Sequence, residues 1–391
     1  MSIHPDRSAS KKRGSQRVES IDSAEWTARF ELNAVPGLGP AGQKSLYEKY
    51  ISARQVWKAV RNGTITARGM GPRRRQRLMK ARRSARASGY REVEGIEMIG
   101  YPDASYPKLL RQISDPPPYF WFQGQVEAFH QPCVSIVGTR RASAYGRRTA
   151  HKVAHALASS GVTVVSGLAY GIDRAAHEGA LDAGGKTIAV LGSGIGALYP
   201  REHVQLAHKI ARSGAVLSEY SPETSPEARF FPVRNRIISG LSHCTIIVEA
   251  FPRAGALITA RLCLDQERDL FAVPGRIDEL TSSGTNALLA ETTAALFSSA
   301  DQVLENLRKA GVLQTLTPEI TDITKKPTLP RSELEARILK LLDLGELHIE
   351  QLQEKLNHPG GQLWSAILLL ECDGEIRELP GNRFIRTGRS K

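Results

Sequence analysis

Cysteine is scarce and scattered in this chain. Its four cysteines, Cys133, Cys244, Cys263 and Cys372, lie far apart and none belongs to a CxxC pair. That argues against a metal site or a disulfide framework and fits a reducing, cytoplasmic setting. Long apolar runs are missing too. Nothing approaches the roughly 20 residues of a membrane span, so no membrane partner is expected. Met1 to Arg17 are polar and basic without an apolar stretch, which reads as a disordered basic arm, 1–25, and not as a secretory signal. Acidic residues are absent from Arg68 to Arg91, a run that carries ten Arg and Lys. Such a run is either a solvated helix face or a phosphate-facing surface. No G-x-S-x-G nucleophile elbow occurs. Ser166, Asp173 and His177 are residues of the triad type, yet Asp173 and His177 fall four apart on one helical pattern, where such pairs cap and pack. These residues point to no enzyme, no metal and no cofactor.

What is present is enough for several cores. The chain has 391 residues, 41% of them hydrophobic, which suits two or three domains. Its formal charge of +13 implies a polyanion partner or plain solubility. Residues 26–95 read as a small helical domain with a repeated element. Val35-Pro36-Gly37-Leu38-Gly39-Pro40 and Arg68-Gly69-Met70-Gly71-Pro72 each place a Gly-apolar-Gly turn before a helical pattern, as in a helix-hairpin-helix. Glycine there lets backbone N–H groups at a helix start approach a phosphate; an ordinary tight turn is the plainer reading. Residues 96–310 alternate short β-branched runs, such as Val134–Val137 and Thr245–Val248, with helical patterns, such as Arg147–Ser159 and Ile172–Ala183. That predicts βαβ units and a mostly parallel sheet covered on both faces. A Pro-broken linker, 311–330, precedes 331–391, where three helices and a hairpin make a winged-helix arrangement. Its third helix carries Trp364 and several leucines but no Lys or Arg, which suits packing or protein contact as well as DNA reading.

The central domain holds the chemistry. Phe230-Phe231-Pro232-Val233-Arg234-Asn235-Arg236 sets two rings and two guanidinium forks beside an apolar run of helical character. Arg suits bidentate phosphate contact, and a ring can stack on any base. Adjacent rings in an extended segment point oppositely, so one faces the ligand and the other packs inside. Three strand ends run into glycine: Gly138-Thr139-Arg140-Arg141, Ser166-Gly167, and Gly192-Ser193-Gly194. At the carboxyl edge of a parallel sheet such loops can line an anion groove. The expected binding set is Gly138, Thr139, Arg140, Arg141, Ser166, Gly167, Gly194, Phe230 or Phe231, Arg234, Asn235 and Arg236, on single-stranded DNA. The competing reading is a nucleotide- or dinucleotide-binding enzyme, since Gly192–Gly196 with Glu219 imitates a dinucleotide fingerprint; its GxGxG spacing and its place after a third strand count against it. An adaptor working through its terminal domains is a third possibility.

These motifs together resemble the DprA/Smf family of DNA-processing proteins. The marks are Ile136-Val137-Gly138-Thr139-Arg140, Ser166-Gly167 through Gly171-Ile172-Asp173 and His177, Tyr199-Pro200, Ser218-Glu219, Phe231 through Ile238, Val248-Glu249-Ala250, Ala272-Val273-Pro274-Gly275, and Gly284-Thr285-Asn286. The resemblance implies an extended Rossmann-like fold between a helical (SAM-like) domain and a winged helix. It further implies a non-catalytic homodimer that binds and protects single-stranded DNA during natural transformation and helps load RecA recombinase. The chain departs from the family pattern at His203, where Asn is usual, and at Ala254 and Ala256, where Ser is usual.

Overall fold

The computed structural model describes residues 21–68, 70–81, 93–313, 333–356, 360–372 and 374–387. The expected arm up to residue 20, nearly all of the linker and the Arg82–Arg91 end of the basic run lie outside them. The chain divides into two compact units, Met1–Thr315 and Leu316–Lys391.

The first unit opens with four helices, α1 (Ser23–Asn33), α2 (Gly39–Tyr47), α3 (Ala53–Arg61) and α4 (Pro72–Ala81). Asp22 caps α1 by accepting the Ala24 N–H at 3.1 Å, so the helical module starts inside the span expected for the arm. Helices α2 and α4 begin at the two glycine turns. A buried ion triad joins this module to the sheet domain: Arg29 binds Asp103 through two N–H groups, at 2.6 and 3.0 Å, and Glu25 at 3.1 Å. The Arg29 guanidinium also lies 4.5 Å from the Trp26 ring centre. Removing one member of such a set would strand a buried charge.

Among the described residues, nine strands form one sheet: β1 (Glu97–Gly100), β2 (Tyr119–Gly124), β3 (Cys133–Val137), β4 (Thr163–Ser166), β5 (Thr187–Val190), β6 (Ala215–Ser218), β7 (Cys244–Ile247), β8 (Asp269–Ala272) and β9 (Ala295–Leu296). The helices between them are α5 (Lys108–Gln112), α6 (Ala144–Ser159), α7 (Ile172–Asp182), α8 (Val204–Ser213), α9 (Phe230–Gly240), α10 (Gly255–Asp265), α11 (Ser283–Ala290) and α12 (Ala300–Lys309). Strand order is β1-β2-β6-β5-β4-β3-β7-β8-β9. From β6 to β9 all neighbours run parallel, whereas β1 and β2 add an antiparallel edge. Alternate residues serve opposite faces: Val134 and Ile136 of β3 join one core, Val137 the other. Both faces are covered, which explains why the strands read as nearly continuous apolar runs.

The chain winds outward from β3 through β4, β5 and β6, then returns to place β7 on the other side of β3. In an open parallel sheet, loops diverge at such a reversal and leave a crevice at the carboxyl ends of the strands.

The second unit comprises α13 (Glu333–Leu342), β10 (Leu347–His348), α14 (Ile349–Leu356), α15 (Gly360–Cys372), β11 (Ile376–Leu379) and β12 (Arg383–Arg386). Its antiparallel strands lie in the order β10-β12-β11. Ile338, Leu352, Leu363, Ile367 and Phe384 form its core. Helix α15 turns Trp364, Leu368 and Leu369 outward, an apolar face rather than a cationic one.

Candidate nucleic-acid interface

A cleft of about 660 Å³ occupies the crevice between β3 and β7. Its walls are the loop after β3 (Gly138 to Arg141), the first turns of α9, and the start of α10 at Ala254, Gly255 and Ala256.

The loop after β3 supplies the free cations. The Thr139 N–H donates to the Glu249 carbonyl at 2.8 Å and its hydroxyl accepts the Arg141 N–H at 3.1 Å, which holds the loop in shape. Gly171, at φ +76°, packs against the Thr139 and Arg140 backbone where any side chain would collide. Arg140 and Arg141 are exposed, line the cleft and form no ion pair with a described residue. The Arg140 guanidinium stands 5.2 Å from the centre of the Phe231 ring.

The Phe230–Arg236 motif is helical from its first residue, so its rings do not alternate as in a strand. Phe231 lines the cleft, edge-on to Tyr199 at 5.9 Å. Phe230 leaves the cleft and stacks on Tyr220 at 4.2 Å, with Arg229 over its ring at 5.1 Å. It is a half-buried surface stack rather than a core residue.

Both arginines of the motif are buried and committed inward. Arg234 donates to the carbonyls of Gly167, at 2.7 Å, and Val190, and to Asn235 Oδ1 at 3.1 Å. It therefore pins the carboxyl ends of β4 and β5. Burial pulls its pKa down to about 10, against the pull of the nearby Asp173 carboxylate. Arg236 faces away from the cleft. It grips Glu219 through two hydrogen bonds of 2.7 and 2.8 Å and pairs with Asp115 at 3.1 Å. The expected phosphate role of Arg236 is thereby corrected: its guanidinium is already saturated by carboxylates. Asn235 is committed as well, accepting from Arg234 and donating to the Gly255 carbonyl at 3.4 Å, which ties α9 to α10.

The expected cradle of three glycine loops reduces to one. In the second loop the Asp173 carboxylate accepts the Gly167 and Ala169 N–H groups at 3.2 and 3.4 Å, and the Ser166 hydroxyl donates to the Ile136 carbonyl. Burial raises the Asp173 pKa, opposed by Arg234 and those two N–H donors. In the third loop the Gly194 and Gly196 N–H groups donate to Thr224 and Pro222 carbonyls at 2.8 and 2.9 Å. Gly194 is glycine because the Ser221 and Pro222 carbonyls press against it, and it does not line the cleft. Glu249 fills the start of α6, accepting the Ser143 N–H at 2.9 Å and the Ser143 hydroxyl. No triad forms: His177 Nδ1 bonds the Thr187 hydroxyl at 2.7 Å, away from Ser166.

One anion-seeking element was missed in the sequence. Helix α10 starts at the cleft with Ala254 as its cap, a residue with no side-chain acceptor for the first N–H groups. The signal was there: Ala254 stands where a capping Ser is usual. A helix start of this kind favours an anion by about 0.3–1 kcal/mol.

Comparison with known proteins gives the family of the chain. A family model for DNA recombination-mediator protein A matches residues 97–308, and one for the DprA winged helix domain matches residues 324–382. The chain belongs to the DprA/Smf family. Protein Smf of Synechocystis is 32% identical, over 94% of this chain and 100% of its own. The X-ray structure of DprA from Streptococcus pneumoniae superposes with a TM-score of 0.60 at 32% identity, covering 73% of this chain and 98% of that one. A Helicobacter pylori DprA, whose structure was solved for its single-stranded DNA binding mode, gives 0.50 at 31%, covering 55% and 96%. The sheet domain is thus the Rossmann-like core of a DprA protein, and the second unit its winged helix.

Proposed function

We propose that this DprA-family protein binds single-stranded DNA in the cleft between β3 and β7, without chemistry on the strand. The observation that carries the reading is that Phe231 of α9, with the Arg140 guanidinium 5.2 Å from its ring centre, shares the cleft with Arg140 and Arg141, which form no ion pair with a described residue. The ring stacks a base, the two guanidinium forks take phosphates, and the open start of α10 favours a further one. Arg234 serves this surface as a strut, tying the ends of β4 and β5 beneath it. The Smf and DprA relatives and the single-stranded DNA binding of the H. pylori protein support a role in processing DNA during natural transformation. On this reading the protein acts in the cytoplasm, protects incoming strands and helps load RecA recombinase. A homodimer is part of the proposal, supported by the exposed Ile277, Leu280 and Leu296, which follow β8 and sit on or before the edge strand β9.

A nucleotide-binding enzyme has less support. Glu219, the residue that would hold a ribose, is tied to Arg236, and the N–H groups of Gly194 and Gly196 are taken. The test is a fluorescence titration of oligo-dT across salt. Arg140→Ala with Arg141→Ala should weaken binding and flatten the log–log salt slope by about 1.4, since each phosphate contact on a single strand adds about 0.7. Phe231→Leu should cost about 1–3 kcal/mol of affinity with the slope unchanged. Folded variants that bind like the parent would refute the cleft assignment.

A further inference from the structure

The positive charge of this protein is concentrated outside the cleft. From Lys49 to Arg91 there are fourteen Lys and Arg and no Asp or Glu, more than the net charge of +13 of the whole chain. Two helices of this segment are described. On α3, Arg54, Lys58 and Arg61 are exposed at the spacing i, i+4, i+7; on α4, Arg73, Arg77 and Lys80 repeat it. Side chains so spaced share one helix face. Arg54 is tied to Asp22 at 3.1 Å, but Lys58, Arg61, Arg73, Arg75, Arg77 and Lys80 form no ion pair with a described residue.

Helix α4 does little for the fold. Only Leu78 of its ten residues is buried, and like charges at i, i+4 disfavour the helix. It nevertheless brings the two glycine turns together. The Arg77 guanidinium occupies the space where a side chain on Gly37 would stand, so the turn opening α2 and the helix opened by Gly71 meet at one arginine.

We infer that the α3–α4 face of the helical module is a second nucleic-acid surface, and that it takes the phosphate backbone of double-stranded DNA. Single-strand sites pair a basic groove with rings on which bases stack; the exposed face of α4 has no aromatic residue, so it can read charge and spacing only. Arg73, Arg77 and Lys80 span roughly 10 Å along the helix. That length matches about three phosphates of one duplex strand, at ~3.4 Å of axial rise each. The cleft and this face then divide the work: stacked single strand in one, paired backbone on the other.

The experiment uses the full chain with Arg73, Arg75, Arg77 and Lys80 all changed to Gln, a good helix former at exposed positions. Binding of a blunt duplex of about 20 base pairs and of oligo-dT is followed across salt, beside the Arg140→Ala, Arg141→Ala variant. The glutamine variant should lose about 100-fold in duplex affinity near 100 mM salt and flatten the duplex slope by about 3, with oligo-dT binding within about twofold of the parent. The cleft variant should show the converse. Unchanged duplex binding in the glutamine variant overturns the inference, leaving an acidic protein as the partner of this face. Equal loss of both ligands in that variant also overturns it, because the face would then be an extension of the cleft. Failure of the cleft reading would register separately, in the Arg140→Ala, Arg141→Ala arm alone.

Discussion

Replacing Arg236 by Met should damage the fold and leave DNA binding intact. The Arg236 side chain is 5% exposed and its partner Glu219 16%, and together they make a bidentate pair with bonds of 2.7 and 2.8 Å. Methionine keeps the apolar bulk of the arginine stem but leaves the Glu219 carboxylate without its counter-charge. Breaking a buried pair by removing one partner costs about 3–5 kcal/mol. Glu219 retains some access to water and Asp115 is half-exposed, so the lower end, about 3 kcal/mol, is expected. For a unit of this size that corresponds to a drop of about 6–10 °C in melting temperature. Circular-dichroism melts and urea curves read it directly. Glu219→Gln alone should fall by a similar amount, and the double variant by little more than either, giving a coupling of about 2–3 kcal/mol. The salt slope for oligo-dT should not move. A variant that melts like the parent but loses about 0.7 from that slope would refute this, because Arg236 would then reach phosphate and not serve as the buried partner of Glu219.

Two further predictions concern the frame around the cleft. Burial pushes His177 down to about 3, with His203 and Arg234 adding to it. Its folded pKa is below the unfolded value of about 6.5, so the unfolded chain takes up the proton first. Stability present above pH 6.5 is then lost as pH falls toward 3, by up to about 1.4 kcal/mol per pH unit. Urea midpoints of His177→Gln should fall less steeply than those of the parent over that window, and parallel curves would contradict the assignment. Gly171→Ala should lose more than about 2 kcal/mol, because the strain of a positive φ adds to overlap with the Thr139 and Arg140 backbone. It should also weaken oligo-dT binding by displacing the Arg140 loop; an unchanged urea midpoint would mean the loop relaxes without penalty.

Much of the fold was legible because it rests on local periodicity. The runs now seen as β3 to β8 are visible as apolar β-branched stretches, and α6, α7, α8 and α10 as helical patterns, to within a few residues at each end. The antiparallel edge escaped notice, since β1 and β2 join the sheet through β6, some ninety residues further along the chain. Strand β9 is two residues long and leaves almost no periodic signal. The motif Phe230–Arg236 stands out in the sequence as a place where charge and rings meet. Its inner workings are not legible there: alternation along an extended segment is what the sequence suggests for the rings, and the structure makes that segment the first turn of α9.

The sequence by itself determined which chemistry this protein carries: the order of strands and helices, the glycine-ended strands, the supply of arginine, and the family to which these belong. Tertiary structure decided which of those groups remain free. Arg140, Arg234 and Arg236 are chemically identical, and nothing in their neighbours along the chain says that one stays in solvent, one braces the ends of β4 and β5, and one neutralises Glu219. Likewise the N–H groups of three similar loops differ only in what packs across from them, and in two of the three an internal carboxylate or carbonyl already takes the place of a ligand. The reason is physical. A buried donor must find its acceptor within hydrogen-bond reach, and that acceptor is chosen by the folding of distant segments against each other.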